Sequence, residues 1–277
     1  MFAATVLALG AAVLHAGWNL AVKQSGDRWL ALWGLFAAGG LLGLPYAVVA
    51  TIQGDLGWSA WGWASLSGVI HAFYIGRLAR TYDVADFSVT YPIARGGGAL
   101  FAAIGGVVFL DDHLSPVSVA GIVIVVLGLM ILSGHVDWAH VWPALIVAFL
   151  IGSYTVVDSK GSRSTVGSAY AMSIFVTGGI GTTIQGLYRR RWRSMVASVP
   201  EKWKQYAMTG AASLITYWMV LLAVRRAPVG YVTALRESSV VFATFLGWRV
   251  LREQSGLRRI LCSALIVVGL VTLVVGR

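Results

Sequence analysis

The sequence predicts an all-α membrane protein of ten transmembrane helices arranged as two inverted five-helix repeats, and three observations lead there. First, the 277 residues are 58% hydrophobic and 12% charged, with 33 glycines spread through apolar runs instead of collected in linkers. The mean hydropathy is +0.77, a composition that belongs in a lipid bilayer. Second, ten apolar stretches can be drawn, near residues 2–22, 30–52, 58–80, 85–110, 115–134, 138–158, 166–187, 205–224, 227–250 and 256–276. Third, sliding the chain on itself by 141 residues aligns 95–134 with 236–275 without a gap. That alignment pairs Arg95 with Arg236, Gly106 with Gly247, Gly128 with Gly269 and Asp112 with Glu253. Five helices is an odd number, so a second copy of the unit enters the bilayer upside down. The repeats are assigned to 1–134 and 138–277.

Helix one has no basic leading region and carries His15, Trp18 and Asn19, so it reads as a retained helix and not as a cleaved signal peptide. His15, Asn19 and Lys23 fall at i, i+4 and i+8 and form one polar stripe, which lipid would penalise and an interior would accept. After the apolar second run, helix three brings His71 and Tyr74, echoed by Tyr217 and Trp218 in helix eight. Aromatic residues in membrane helices are more often packing or interface anchors than ligand contacts. These four are carried as cavity-lining candidates.

Helix four places Arg95 about 15 Å deep, near the middle of a ~30 Å hydrocarbon core. Pro92 frees a carbonyl, while Gly96, Gly97 and Gly98 allow a kink or the close approach of another helix. Ser115 followed by Pro116 is an N-cap with proline at N1, which starts helix five. Helices five and ten carry Gly121 and Gly128, and Gly269 and Gly276, each pair on one face, the mark of close packing and scaffold.

His135, Asp137 and His140 break the apolar pattern between the repeats, and Pro143 can start helix six. Tyr154 and Asp158, four apart, are the shorter counterpart of the helix-one stripe, with Asp158 near enough to Lys160 to pair. Helix seven leads to the longest connection, Tyr188 to Lys204, too short for a soluble catalytic domain. Its run from Arg189 to Arg193 sets topology and touches anionic lipid. Helix nine carries Arg236 beside Glu237. Helix ten holds Cys262, the single cysteine, which excludes an internal disulfide and gives the thiol a packing role.

The formal charge is +10, yet no basic stripe with interleaved aromatics occupies a soluble face, so nucleic acid is excluded as a partner. Most of the 21 Lys and Arg fall in alternate connections, including Lys23, Arg28, Arg77, Arg80, Arg189 to Arg193 and Arg249 to Arg259. Few, among them Lys160, Arg163, Arg225 and Arg226, fall in the others. The positive-inside rule then puts both termini outside and the Tyr188–Lys204 connection in the cytoplasm. No Walker, zincin or serine-elbow signature occurs. No cofactor, metal ligand or catalytic residue is assigned.

An ionised side chain at a helix centre costs roughly 2.5–3.5 kcal/mol on insertion scales, so Arg95, Arg236 and Glu237 need partners or a task. Arg95 paired with Glu237 is the structural reading, whereas a guanidinium free to grip a carboxylate or phosphonate is the functional one. The substrate-binding candidates are Arg95, Arg236, Glu237, Tyr91, His15, Trp18, Asn19, Tyr74, Tyr154, Tyr217 and Trp218. Glu237, Asp158 and His15 are the proton-coupling candidates. At Glu237 low-dielectric surroundings favour the neutral acid while a nearby arginine favours the carboxylate, leaving a balance that a conformational change can tip.

Three segments carry a family likeness: His15-Ala-Gly-Trp-Asn-Leu-Ala-Val-Lys23, Tyr91-Pro-Ile-Ala-Arg-Gly96 and Leu235-Arg-Glu-Ser-Ser-Val-Val-Phe242. With ten helices in two halves, the chain resembles the EamA family of the drug/metabolite transporter superfamily. The resemblance implies a secondary carrier of the prokaryotic inner membrane, with helices one, three, four, six, eight and nine around a central cavity and helices five and ten outside it. Relatives are usually drawn with cytoplasmic termini, the reverse of this chain's charge count. The substrate expected is a small anionic or zwitterionic metabolite, such as an organic acid, amino acid or phosphonate, moved by a monomer or homodimer in the lipid bilayer. The competing class is an intramembrane enzyme or an accessory protein. An enzyme should gather acid and base residues at one depth, and His71 with Asp83 or Asp86 does not, because those acids lie near a helix end.

Overall fold

The computed structural model describes residues 2–110, 115–133, 137–162, 165–224, 235–253 and 256–276. Asp112, His135, Arg163, Arg225, Arg226 and the start of the ninth apolar run lie outside them. Ten helices are described: α1 Phe2–Gln24, α2 Arg28–Ile52, α3 Trp58–Val84, α4 Phe87–Leu110, α5 Pro116–Ser133, α6 Trp138–Ser162, α7 Gly167–Tyr188, α8 Trp192–Val224, α9 Ser239–Val250 and α10 Gly256–Val275. No strand occurs among the described residues. By length and composition Phe2–Gln24, Arg28–Ile52, Phe87–Phe109 and Trp138–Ser162 stand out as apolar enough to cross a membrane.

Local chemistry sets the helix ends. Asp27 caps α2 by accepting from the Leu30 amide at 3.0 Å, and Ser115 caps α5 by accepting from the Ser118 amide at 3.1 Å. Both side chains satisfy donors that the first turn leaves unpaired. Three expectations need correction. Pro143 lies inside α6, which starts at Trp138 because Asp137 accepts from the Ala139 amide at 2.9 Å. Residues 192–204 are helical and continuous with the rest of α8, so the connection after α7 is only Arg189–Arg191; charge density conceals a helix from a hydropathy reading. The α4 backbone also runs unbroken from Phe87 through Pro92 to Leu110. Its glycines serve close approach instead: a Cβ on Gly97 would stand 2.9 Å from the Ala148 Cβ, and one on Gly98 would stand 2.5 Å from the Ile151 Cγ2.

Packing follows a simple scheme. α2 lies along α7 and α5 along α10; α1 packs on α8 and α9, while α6 packs on α3 and α4; α3 also meets α7, and α8 meets α2. Exchanging each helix with the one five places along returns the same scheme. The α5–α10 seam rests on missing side chains. A Cβ on Gly269 would meet the Val125 amide nitrogen at 2.7 Å, and one on Gly276 would meet that of Ser118 at 2.5 Å. The largest buried cluster joins α1, α2, α3 and α4 through Trp18, Leu32, Ile75, Tyr82 and Phe87, and it walls the chamber described next.

Candidate functional site

One end of the bundle is tied shut by charge. At the end of α1, the Lys23 ammonium donates to the carbonyls of Tyr82 at 2.5 Å and Ala85 at 2.7 Å. Cations suit the carbonyls that a helix C-terminus leaves exposed. The mirror situation holds at the start of α4, where Glu253 accepts from the amides of Phe87 at 2.6 Å and Ser88 at 2.8 Å. Arg259 of α10 then bridges Asp86 at 2.8 Å, Glu253 at 3.8 Å and the Ser88 hydroxyl at 2.7 Å. Arg28 pairs with Asp83, and Arg191 with Asp27. Gly247 lets α9 come this close, since its Cβ would stand 3.0 Å from that of Ser88.

Above this tie lies a cavity of about 410 Å³. α4 and α6 run in step, with Gly97 against Ala148 and Gly105 against Val156, so the C-terminal end of α6 lies away from Phe87. The cavity reaches Ser162, the last residue of α6, and Ala171 early in α7, which puts its mouth at the end opposite the charge tie.

The helical turn Leu235–Glu237, interrupted at Ser238 before α9 begins, sets two charged side chains at the cavity floor. Arg95 Nη2 donates to Glu237 Oε1 at 2.7 Å, and Glu237 is 6% exposed. Three buried polar atoms beside that pair have no hydrogen-bond partner: Arg95 Nε, Glu237 Oε2 and Trp18 Nε1. Arg236 lines the same cavity, and among the described residues no carboxylate forms an ion pair with it. The inventory of unmet groups is therefore rich in donors, which fits an anionic ligand.

Aromatic rings form the wall. His71 stacks on Tyr154 with centroids 4.2 Å apart, and Tyr74 stands edge-on to both at 6.0 and 5.7 Å. His15 meets Trp18 at 4.8 Å. Nearer the mouth, Asp158 accepts from the Tyr170 hydroxyl at 3.2 Å, and no ion pair joins it to exposed Lys160 among the described residues.

The structure thus brings Arg95, Arg236, Glu237, His15, Trp18, Tyr74, Tyr154, Tyr217 and Asp158 to one cavity. Asn19 sits behind it, accepting from the Tyr82 hydroxyl at 2.9 Å and donating to the His15 carbonyl. Tyr91 is also buried, its hydroxyl 3.4 Å from that of Ser239. Trp218 is 53% exposed and lines a separate apolar groove with Leu42, Tyr46 and Met172; residues adjacent on a helix point about 100° apart, and here Tyr217 takes the cavity and Trp218 the groove. Phe36 of α2, Phe175 of α7 and Leu270 and Leu273 of α10 also line the cavity, beyond the six helices the resemblance implies. Nothing in the apolar letters marks those residues, whereas Thr155, Asp158, Ser159 and Ser162 recur on one helical face and were findable.

The bundle, its lipid-compatible composition and its central polar cavity define a multi-pass membrane protein built around a chamber. A family model described as the EamA-like transporter family matches residues 138–275. The chain belongs to that family, and it is a membrane transporter of small molecules. No curated protein matches it. A solved crystal structure, described only as that of a protein, matches with a TM-score of 0.62 at 17% identity, over 99% of this chain and 98% of that one. At that identity the likeness is one of fold.

Proposed function

We propose that the chain is a secondary carrier of the prokaryotic inner membrane that moves a small anionic or zwitterionic metabolite by alternating access, without hydrolysing a nucleotide. Its ten helices are ten spans in two inverted repeats, 1–134 and 138–277, a reading supported by the packing scheme that survives exchange of each helix with the fifth one along. The observation that carries the substrate class is Arg236, a cation lining the cavity with no ion-pair partner among the described residues, beside the Arg95–Glu237 pair. A carboxylate or phosphonate satisfies its forked donors and removes the cost of an unpaired charge in low dielectric.

In this cycle the substrate enters from the mouth, meets Arg236 and leaves when the tie at Glu253 and Arg259 opens. By the charge rule the tie is cytoplasmic and both termini are outside. Glu237, Asp158 and His15 are the groups that would carry a coupled proton. The test is counterflow of carboxylates and phosphonates in proteoliposomes. Arg236→Gln is expected to lower uptake by about tenfold or more, the worth of one charge-assisted contact; wild-type rates from a properly folded variant would end the reading.

A further inference from the structure

The cavity is polarised along its length. Its floor holds Arg95, Arg236 and Glu237, and its mouth holds one carboxylate, Asp158, with the hydroxyls of Ser159 and Ser162. Helix register measures the separation. Gly247 packs on Ser88, and counting back along α9 sets Glu237 level with about Gly98. Val156 packs on Gly105, which sets Asp158 level with about Val107. The two levels differ by roughly 13 Å at helical rise, and side chains leaning into the gap leave on the order of 10 Å between charged atoms. Aromatic faces of Tyr154, His71 and Tyr74 lie between, and such faces accept methylene groups and cations alike.

Resting on the carrier reading above, we infer that the substrate is an extended dipolar molecule, its anionic group on Arg236 and a cationic nitrogen several bonds away on Asp158. Allowing about 2.8 Å for a charge-assisted hydrogen bond at each end leaves about 4–5 Å between the ligand's own charged atoms, which fits an ω-amino acid whose carboxylate and ammonium are separated by about two to three methylenes. A monoanion of the same length leaves Asp158 facing an apolar tail. A short α-amino acid reaches Glu237 Oε2 with its ammonium but not Asp158.

The experiment is a binding series on the purified protein, comparing β-alanine, γ-aminobutyrate and δ-aminovalerate with propionate, butyrate and valerate, and with glycine. The amino acids are expected to bind about tenfold tighter than the carboxylates of equal length, with the best fit within the series and not at glycine. In Asp158→Asn that advantage disappears while the plain carboxylates bind as before; in Arg236→Gln both groups lose affinity. Carboxylates that bind through Arg236 with no gain from a distal ammonium would overturn this inference and leave the carrier reading standing. A gain that survives in Asp158→Asn would overturn it equally. Absence of any Arg236-dependent binding across the whole series would instead count against the anion reading on which it rests. The wild-type series decides the matter even if a variant fails to fold.

Discussion

Arg95 and Glu237 form an ion pair at the cavity floor whose members are both mostly shielded, at 14% and 8% side-chain exposure, and the cost of disturbing it depends on what is left behind. Removing one partner strands a charge, worth about 3–5 kcal/mol in a dry interior and less beside a hydrated cavity; removing both strands none. Arg95→Gln and Glu237→Gln should therefore each lower the melting temperature in detergent more than the double substitution does. Equal or additive losses would show that the pair does not act as a unit. These residues were legible in the sequence because charge inside an apolar run is rare and costly. Tyr91, four residues before Arg95, and Asn19, next to Trp18, read as equally polar candidates, yet they serve as struts behind the cavity wall. Sequence alone marks polarity and not the direction in which a side chain points.

At the scale of the helix, α5 and α10 depend on glycines pressed backbone to backbone. Gly269→Val should push the pair apart and cost about 1–3 kcal/mol through overpacking, read as a lower melting temperature, because its Cβ would already lie 2.7 Å from the Val125 amide nitrogen. The same substitution at Gly62, where a Cβ meets nothing within 4 Å, should cost about 1 kcal/mol or less. An unchanged melting temperature for Gly269→Val would refute the tight seam. The glycine spacing marked each of these helices for close packing, but it took the fold to show that they pack on each other. The true start of α6 was hidden because Asp137 caps from a stretch that looks like a linker, and the first turns of α8 were hidden because charge there outweighs apolar content.

The corner between α3 and α4 is held to the corner between α9 and α10 by Glu253 and Arg259. Glu253→Gln weakens both amide contacts by removing the charge that strengthens them. Spin labels at Arg80→Cys and Arg252→Cys, in a Cys262→Ser background, should then report longer distances than in the unsubstituted protein. An unchanged distribution would mean that the corners are held by packing alone. Glu253 drew attention in the sequence only as a partner of Asp112 in the internal alignment; its task as a cap across two corners needed the fold, since the residues it joins are 166 and 165 positions away.

For the molecule as a whole, orientation is the sharpest prediction. With the basic connections in the cytoplasm, a fluorescent-protein fusion at the C-terminus should stay dark and an alkaline phosphatase fusion should be active; a fluorescent fusion would reverse the sidedness assigned to the tie and to the mouth. The all-helical architecture was readable from composition and from the length of the apolar runs, because lipid forces every backbone group to be satisfied within its own segment. The contribution of Phe36, Phe175, Leu270 and Leu273 to the cavity was not readable, since a phenylalanine facing lipid and one facing a chamber are the same letter.

The 33 residues of α8 make a rod about 50 Å long in a hydrocarbon slab about 30 Å thick. Its overhang carries Trp192, Arg193, Lys202, Trp203 and Lys204, and the nearby Arg191 stacks on Trp29 at 4.8 Å. As a span in the ten-helix reading proposed above, α8 could slide inward only by dragging tryptophans and cations out of the headgroup layer, which would pin its depth. A rod held at one depth offers α1, which packs along it, a fixed surface to lie against.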